Sequence, residues 1–238
     1  MLSLISWVGL LSWIIGGAEL LHGTSAWWLL ATLGTYLALA ASLSVGYHRL
    51  FTHRAFECSQ LWHYIFGFIG TIAWHGSPIQ WVALHITHHK YPDTDKDPHY
   101  TGWDYLLHKR YNNVKLDLWR TRRLMKSSFH RFIHEYYVLI SLGFMWTLWA
   151  ISPTALIFGY LMPMGIAGVV GGIHQVTAHL GSNGQKHALN LPWLEYIIPS
   201  MGEWNHAKHH LDSKAWDFRT KWWHLDTGAM LVKLIRKA

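Results

Sequence analysis

The residues of this chain that are best suited to chemistry are its histidines, which number 19 and gather in three short clusters. The first cluster is His48-Arg-Leu-Phe-Thr-His53, the second is His85-Ile-Thr-His88-His89, and the third is His206-Ala-Lys-His209-His210. The second and third clusters share the spacing H-x-x-H-H. Residues at i, i+3 and i+4 of an α-helix lie on one face, so each of these clusters can direct three imidazoles towards a metal.

The first cluster has a different spacing. His48 and His53 are five residues apart, which is about 140° around an ideal α-helix. Both side chains can face one site only if the helix ends or distorts between them. A position just after an apolar run suits such a distortion.

The number of histidines limits the kind of metal site. Imidazole binds Zn, Cu, Fe and Ni alike, so ligand type leaves the metal open. A zinc site takes about four ligands, or three and a water, and the eight clustered histidines therefore indicate two metals. Cys58 is the only cysteine, which excludes an intrachain disulfide and a Cys-x-x-Cys metal site. Acidic residues flank the clusters and are predicted to orient the imidazole rings by hydrogen bonds: Asp93, Asp95, Asp97, Glu203 and Asp212.

The elements that must position these clusters are predicted to be membrane helices. Only 14% of the residues are charged, against about a quarter in soluble domains. Four apolar runs are predicted to span the membrane, over residues 2–21, 26–45, 132–151 and 153–173. We therefore predict an all-α membrane protein in which residues 1–238 form a single domain with two helical hairpins.

The basic residues predict the orientation of these spans. No Lys or Arg precedes Arg49, and none lies between Arg131 and Lys186. By the positive-inside rule, both termini and all three clusters are expected on the cytoplasmic side. The apolar segment Leu61–Val82 would separate the first two clusters if it crossed, so it is predicted to be re-entrant or interfacial. Leu189–Met201 is too short to cross and is predicted to lie in the interface.

The net charge of +7 could indicate nucleic acid or an anionic membrane surface, and the apolar runs favour the membrane without a nucleic-acid partner. A basic patch of Arg120, Arg122, Arg123 and Lys126 is expected to meet either an acidic protein partner or lipid headgroups. Seven of the histidines outside the clusters are predicted to be interfacial or surface residues, namely His22, His63, His108, His130, His134, His187 and His224.

The clusters and their flanking residues resemble the histidine boxes of the membrane fatty acid desaturases of the acyl-CoA and acyl-lipid Δ9 type. The matching segments are Gly46-Tyr-His-Arg-Leu-Phe-Thr-His-Arg-Ala-Phe56, Trp81-Val-Ala-Leu-His-Ile-Thr-His-His-Lys-Tyr-Pro-Asp-Thr-Asp-Lys-Asp-Pro-His99, Gly202-Glu-Trp-Asn-His-Ala-Lys-His-His210 and Trp222-Trp-His-Leu-Asp226. The resemblance covers the chain from about residue 26 to its end.

The resemblance implies a cytosolic helical cap that holds two irons, with His179 as a ninth ligand beside the eight clustered histidines. The family usually has Asn four residues before this histidine, where it holds an iron through water. This chain has Gln175 there, with His174 beside it, and either could take that role. Asp97, His99 and Glu203 are expected around the ligands, and His75 and Trp74 are expected to line an acyl tunnel.

The implied reaction uses O2 and two electrons to introduce a cis double bond, Δ9-like in position, into an acyl chain carried on CoA or a lipid. No His-Pro-Gly-Gly haem-binding stretch of the cytochrome b5 type occurs in the chain, so the electrons are expected from a separate donor such as a ferredoxin or cytochrome b5. A related hydroxylase or ketolase would use similar histidines, but the Asp-Pro-His after the second cluster favours a desaturase. A divalent-metal transporter should carry ionisable residues inside its spans, and these spans are almost free of them.

Overall fold

The structure is a computed structural model that describes residues 2–99, 113–179 and 188–237, with side chains from Trp7 onward. The described residues form helices and no β-strand, with two isolated β-bridges, which confirms the all-α prediction. In chain order the helices are α1 (Leu2–Leu21), α2 (Trp28–His53), α3 (Gln60–Ile72), α4 (Pro78–Lys90), α5 (Arg122–Lys126), α6 (Ser128–Glu135), α7 (Tyr137–Ile151), α8 (Pro153–Thr177), α9 (His206–Leu211) and α10 (Thr227–Ile235), with a short 3₁₀ turn at Pro192–Tyr196.

Two of the described helices are long and apolar enough to cross a membrane, α2 with 26 residues and α8 with 25. Helix α1 packs closely on α8, because a Cβ atom on Gly165 would lie only 2.6 Å from the carbonyl carbon of Gly9. Such contacts between small residues are common where helices pack in a bilayer. Apolar side chains also point outward, with Ile14 on α1 71% exposed and Trp146 on α7 67% exposed. These surfaces support membrane association.

The first predicted span coincides with α1, whereas the second and fourth continue further than predicted. Helix α2 runs to His53 instead of residue 45, and α8 runs to Thr177 instead of residue 173. Both extensions leave the apolar run and carry polar side chains that pack against the rest of the chain. As a result, His48 and Gln175 lie on the same continuous helices as the apolar runs that precede them.

The third predicted span, 132–151, starts too early. Helix α6 ends at Glu135, Tyr136 leaves the helical conformation with φ −106° and ψ 16°, and α7 covers only the 15 residues from Tyr137 to Ile151. The physical reason is a tertiary contact: the His134 ring lies 2.6 Å from the Ser77 hydroxyl at the start of α4. This contact holds α6 against α4 and separates it from the apolar helix.

The segment Leu61–Val82 contains a break and is not one long helix. Helix α3 ends at Ile72, and the turn before α4 places Trp74 at φ 59° and Gly76 at φ 85°. The 13 residues of α3 extend about 20 Å, which is less than the ~30 Å of a bilayer core. The prediction that this segment does not cross is therefore compatible with its helices.

A buried ion pair joins α2 to the C-terminal part of the chain. Arg49 and Asp226 have side chains that are 0% exposed, and the Arg49 guanidinium lies 3.1 Å from the Asp226 carboxylate. Arg49 also donates to the carbonyl of Met201 at 2.6 Å and lies 3.9 Å above the ring of Phe218. Asp226 in turn accepts from the backbone N–H groups of Phe218 and Ala229. This arrangement anchors the third histidine cluster beside the first.

Removing Asp226 is expected to destabilise the protein strongly. Asp226→Ala leaves Arg49 as an unpaired buried charge, which typically costs about 3–5 kcal/mol. Asp217→Ala is the matched control, because the side chain of its partner Arg219 is 33% exposed and such pairs contribute at most about 1 kcal/mol. Thermal unfolding in detergent should show a large fall in Tm for Asp226→Ala only. Equal falls in the two variants would show that the buried pair has no special role.

Candidate metal centre

The first histidine cluster lies on a π-helical segment, Ser42–His53, that completes α2. In a π-helix the backbone bonds run from i to i+5, so residues five apart lie on successive turns. The rings of His48 and His53 accordingly lie with centroids 5.0 Å apart. The distortion that their spacing required is present, and it takes the form of a changed helical hydrogen-bond pattern.

The second cluster lies on the last turns of α4. This helix begins with a capping box, in which the Ser77 side chain accepts from the Gln80 N–H and the Gln80 side chain accepts from the Ser77 N–H. The side chains of its three histidines do not all point to the same group of ligands. His85 and His89 face each other at 3.0 Å between Nε2 atoms, whereas His88 turns towards His179, with ring centroids 5.1 Å apart.

The third cluster lies on the short helix α9 and divides in the same way. His206 and His210 lie 2.9 Å apart at their Nε2 atoms. His209 points to the other side, where its Nε2 lies 2.8 Å from the Nε2 atoms of both His48 and His89. His179, just after α8, lies 3.1 Å from His206 between Nε2 atoms.

All nine predicted ligand histidines therefore converge, in two adjacent groups whose ligand atoms lie within 4.8 Å of one another. The five-histidine group consists of His48, His53, His85, His89 and His209. The four-histidine group consists of His88, His179, His206 and His210. Most of these side chains are buried.

Three carboxylates make contact with the outer nitrogens of these rings. The Nδ1 atom of His48 donates to Glu203 at 2.9 Å, and that of His88 donates to Asp97 at 2.8 Å. The Nδ1 atom of His179 likewise donates to Asp93, at 3.3 Å. Each bond fixes the tautomer, so that the Nε2 lone pair points into the group.

Glu203 is held further by the hydroxyl of Ser44, and Asp97 accepts from the backbone N–H of His99 at 2.8 Å. The His99 ring packs against that of His88, with centroids 5.0 Å apart. Two of the other flanking acids differ from the prediction. Asp95 is exposed, and Asp212 pairs at 3.7 Å with Lys208. Because Asp93 contacts His179, it is a third carboxylate, beside Asp97 and Glu203, that orients a histidine ring.

The facing Nε2 atoms fit a metal better than they fit hydrogen bonds. His209 meets both His48 and His89, and His206 meets both His179 and His210. One N–H cannot serve two such neighbours, and the lone pairs of His48 and His179 would repel an opposing lone pair. His53 Nε2 is buried with no hydrogen-bond partner. Separations of 2.8–3.1 Å suit adjacent ligands about 2.1 Å from one ion.

The protonation state of the cluster also suits metal binding, which requires neutral imidazole. Burial, followed by the repulsion of neighbouring histidines, lowers the pKa of His88 to about 3 and that of His210 to about 2. The pKa values of His85 and His209 lie well below the usual range for the same reasons. Burial alone would raise the pKa of Glu203, but His48 and Arg49 outweigh it and lower this pKa to about 2.

His174 and Gln175 lie near the C-terminal end of α8, beside the four-histidine group. The His174 ring packs 4.8 Å from that of His206, and its Nε2 donates to the backbone carbonyl of Glu203 at 2.9 Å. The Gln175 Nε2 atom is buried with no hydrogen-bond partner. The free polar group is thus on Gln175, while His174 is already engaged with the loop that carries Glu203.

A cavity of about 180 Å³ opens beside both groups. Its polar lining includes cluster histidines and Gln175, and its apolar lining includes Leu43 of α2 and Ala167 and Val170 of α8. His75 lines this cavity, as predicted for a tunnel residue. Trp74 instead packs in the core with Tyr160 and Met164.

The histidines that were predicted to lie outside the site do so where the structure describes them. His22, His63, His130, His134 and His224 belong to neither group. His130 and His224 are buried, at 2% and 9% exposure, and are not surface residues as predicted. His108 and His187 lie outside the described residues.

The described part of the chain is all-helical, carries two membrane-capable helices and holds a candidate multi-histidine metal site. No family model matches the chain. The Delta-9 desaturase-like 2 protein of Arabidopsis thaliana is 32% identical, over 86% of this chain and 73% of that protein. The sn-1 stearoyl-lipid 9-desaturase of Anabaena variabilis is 25% identical over 94% and 82%, and the Acyl-CoA 5-desaturase AL21 of Anemone leveillei is 27% identical over 89% and 69%.

The chain belongs to the fatty acid desaturase family, and it is an oxidoreductase.

Proposed function

We propose that this chain is an O2-dependent desaturase in which two irons, held by the five- and four-histidine groups, serve the introduction of a cis double bond into a fatty acyl chain. The observation that carries the proposal is the convergence of nine imidazoles beside a cavity between two membrane-capable helices. Family membership supports iron as the metal. Two of the three relatives are named for position 9 and the third for position 5, and their names include an acyl-lipid and an acyl-CoA substrate; we propose a Δ9-like position for this chain.

The reaction removes two hydrogens from adjacent, unactivated carbons. Its balance is R–CH2–CH2–R′ + O2 + 2e⁻ + 2H⁺ → R–CH=CH–R′ + 2H2O. Bound iron supplies the activation of O2 that such carbons require, because acid–base side chains alone cannot oxidise an alkyl chain. The protein residues hold the metals, orient their ligands through Glu203, Asp97 and Asp93, and exclude water around the cavity.

The acyl chain is proposed to occupy the cavity between α2 and α8. Its apolar walls suit methylene groups, and its polar end brings the chain to His48, His85, His88 and His206. Both helices contribute to the cavity wall. The position of the double bond would depend on how far the chain enters before it meets the histidines.

The proposed topology has four crossings, with the termini and the histidine groups on the cytoplasmic side. The two apolar helices α2 and α8, the outward apolar faces of α1 and α7, and the distribution of Lys and Arg support it. The short helices α4, α5, α6, α9 and α10 would form the cytosolic cap. Electrons would come from a separate carrier, such as a ferredoxin or cytochrome b5, that docks on this basic face.

The test is lipid analysis of a host that expresses the chain, by mass spectrometry with localisation of double bonds. We expect a new cis-monounsaturated acyl species that depends on the chain. New hydroxylated or keto products without a double bond would favour the related hydroxylase or ketolase reaction. An unchanged acyl profile combined with altered cellular metal content would favour a metal transporter.

Gln175 is proposed to hold the iron of the four-histidine group through water, because its buried amide nitrogen has no protein partner. Gln175→Ala is expected to lower activity about 10- to 100-fold, as loss of an outer metal partner usually does. Mössbauer spectra of the ⁵⁷Fe-loaded protein should change for one of the two irons. Gln175→Asn, which keeps an amide, should restore much of both properties.

His174→Ala is the comparison for this prediction. It should affect activity less than Gln175→Ala, because the His174 Nε2 atom is already bonded to the Glu203 carbonyl. A larger loss in His174→Ala, accompanied by the spectral change, would assign the outer position to His174.

A further inference from the structure

A second, smaller cavity of about 90 Å³ lies at the end of α2, away from the histidine groups. Its polar lining consists of Arg54, Gln60, His63, Arg123, Ser127 and His130, and its apolar lining includes Phe51 and Leu124. It shares no lining residue with the cavity beside the metal centre. One water needs about 10–15 Å³ of such volume, so this cavity has room for a group of several heavy atoms.

His130 carries an unmet hydrogen-bonding requirement in this cavity. The residue is only 2% exposed, and its Nδ1 atom is buried with no hydrogen-bond partner. Its ring is fixed by packing against Phe51, with centroids 5.1 Å apart, and its backbone N–H donates to the Ser127 hydroxyl. A buried ring nitrogen without a partner is costly, and the ring that carries it lines the cavity.

The charges around the cavity are all of one sign. Within the part of the chain that the structure describes, no carboxylate forms an ion pair with Arg54 or Arg123. Arg54 also takes a left-handed backbone conformation at φ 54°, directly after His53.

We propose that this cavity binds a phosphate group, and that its source is the headgroup of an anionic phospholipid. Guanidinium groups match phosphate geometry and form charge-assisted hydrogen bonds with its oxygens. Leu61, Tyr64 and Phe132, which neighbour the lining residues in sequence, are 62%, 43% and 55% exposed and could contact acyl tails. The lipid source rests on the proposed membrane topology, whereas the phosphate site does not.

Only some of the basic residues on α5 line this cavity. Arg123 lines the cavity, whereas Arg122 lies 4.7 Å above the ring of Trp119 and lines a different groove. Arg54→Gln combined with Arg123→Gln is therefore the test variant. Arg122→Gln combined with Lys126→Gln is the matched control, because it removes the same charge from exposed side chains that do not line the cavity.

The experiment is native mass spectrometry of the full, iron-loaded chain in detergent, titrated with phosphatidylglycerol or phosphatidylcholine. We expect the native protein to retain one phosphatidylglycerol at least about tenfold more tightly than phosphatidylcholine. The Arg54/Arg123 variant should lose this preference, and the Arg122/Lys126 variant should keep it. Desaturase activity is not the readout, so the result is independent of the proposed reaction.

Competition with inorganic phosphate distinguishes the two sources. If excess inorganic phosphate leaves the bound lipid in place, the headgroup is the ligand, as proposed. If inorganic phosphate displaces the lipid only when Arg54 and Arg123 are intact, the phosphate site stands but its ligand is free phosphate. An unchanged lipid preference in the Arg54/Arg123 variant, or an equal loss in the control, would overturn the site in favour of general surface charge.

Discussion

Replacing His209 with alanine is expected to reduce desaturation at least about 100-fold and to lower the iron content of the purified chain. His209 is fully buried, and its Nε2 atom lies 2.8 Å from those of both His48 and His89. It therefore joins the first and second clusters within the five-histidine group. Loss of an outer partner of a metal ligand already costs about 10- to 100-fold, so loss of the ligand itself should cost more.

The measurement is product formation per chain together with metal analysis of the same sample. His22→Ala is the control, because His22 is exposed in the turn after α1 and belongs to neither histidine group. It should retain native activity and iron. Native activity in His209→Ala would remove this residue from the metal centre.

Replacing Gly171 with tryptophan is expected to abolish product while leaving the iron in place. Gly171 lines the cavity beside the histidine groups, and a Cβ atom there would lie 4.0 Å from the His75 Nε2 atom as its nearest neighbour. An indole at this position would fill space that the acyl chain is proposed to occupy. Because misplacement of a substrate by about 1 Å can cost about 100-fold, we expect at least that loss.

Gly143→Trp is the matched control for this substitution. Gly143 is also a helical glycine, on α7, and nothing lies within 4 Å of a Cβ atom built on it. It lines none of the cavities described above. Normal product in Gly171→Trp, at normal iron content, would place the acyl chain elsewhere. Loss of iron in Gly171→Trp would show that the residue supports the metal centre itself.

The spacing of the histidines was enough to predict that they converge, but not how they divide. In both H-x-x-H-H clusters the outer pair, four residues apart, enters one group and the remaining histidine enters the other. At about 100° per residue, positions i and i+4 differ by about 40° around the helix axis, whereas i+3 lies about 60° to the other side. Which of the two groups each histidine enters depends on the helices that pack against each face of its own helix. Tertiary packing decides this, and sequence spacing does not.

The contribution of Arg49 was missed for a related reason. Arg49 lies next to His48, and the sequence pattern identified it only as part of the first cluster segment. Its partner Asp226 lies 177 residues away, and nothing in the local sequence pattern indicates that both side chains are buried. The signal that could have found the pair is the Asp at the end of Trp222-Trp-His-Leu-Asp226, which is an unusual residue beside so many apolar ones. Likewise, the break at Tyr136 depends on the contact between His134 and Ser77, which no periodicity predicts.

The metal content of the native chain tests the central claim most directly. The chain should be produced under iron-replete conditions, purified without added metal, and analysed for iron, zinc and protein in the same sample. Two histidine groups with separate sets of ligands predict about two irons per chain and little zinc. A single zinc per chain with no iron would contradict the di-iron centre and, with it, the proposed oxidation of the acyl chain.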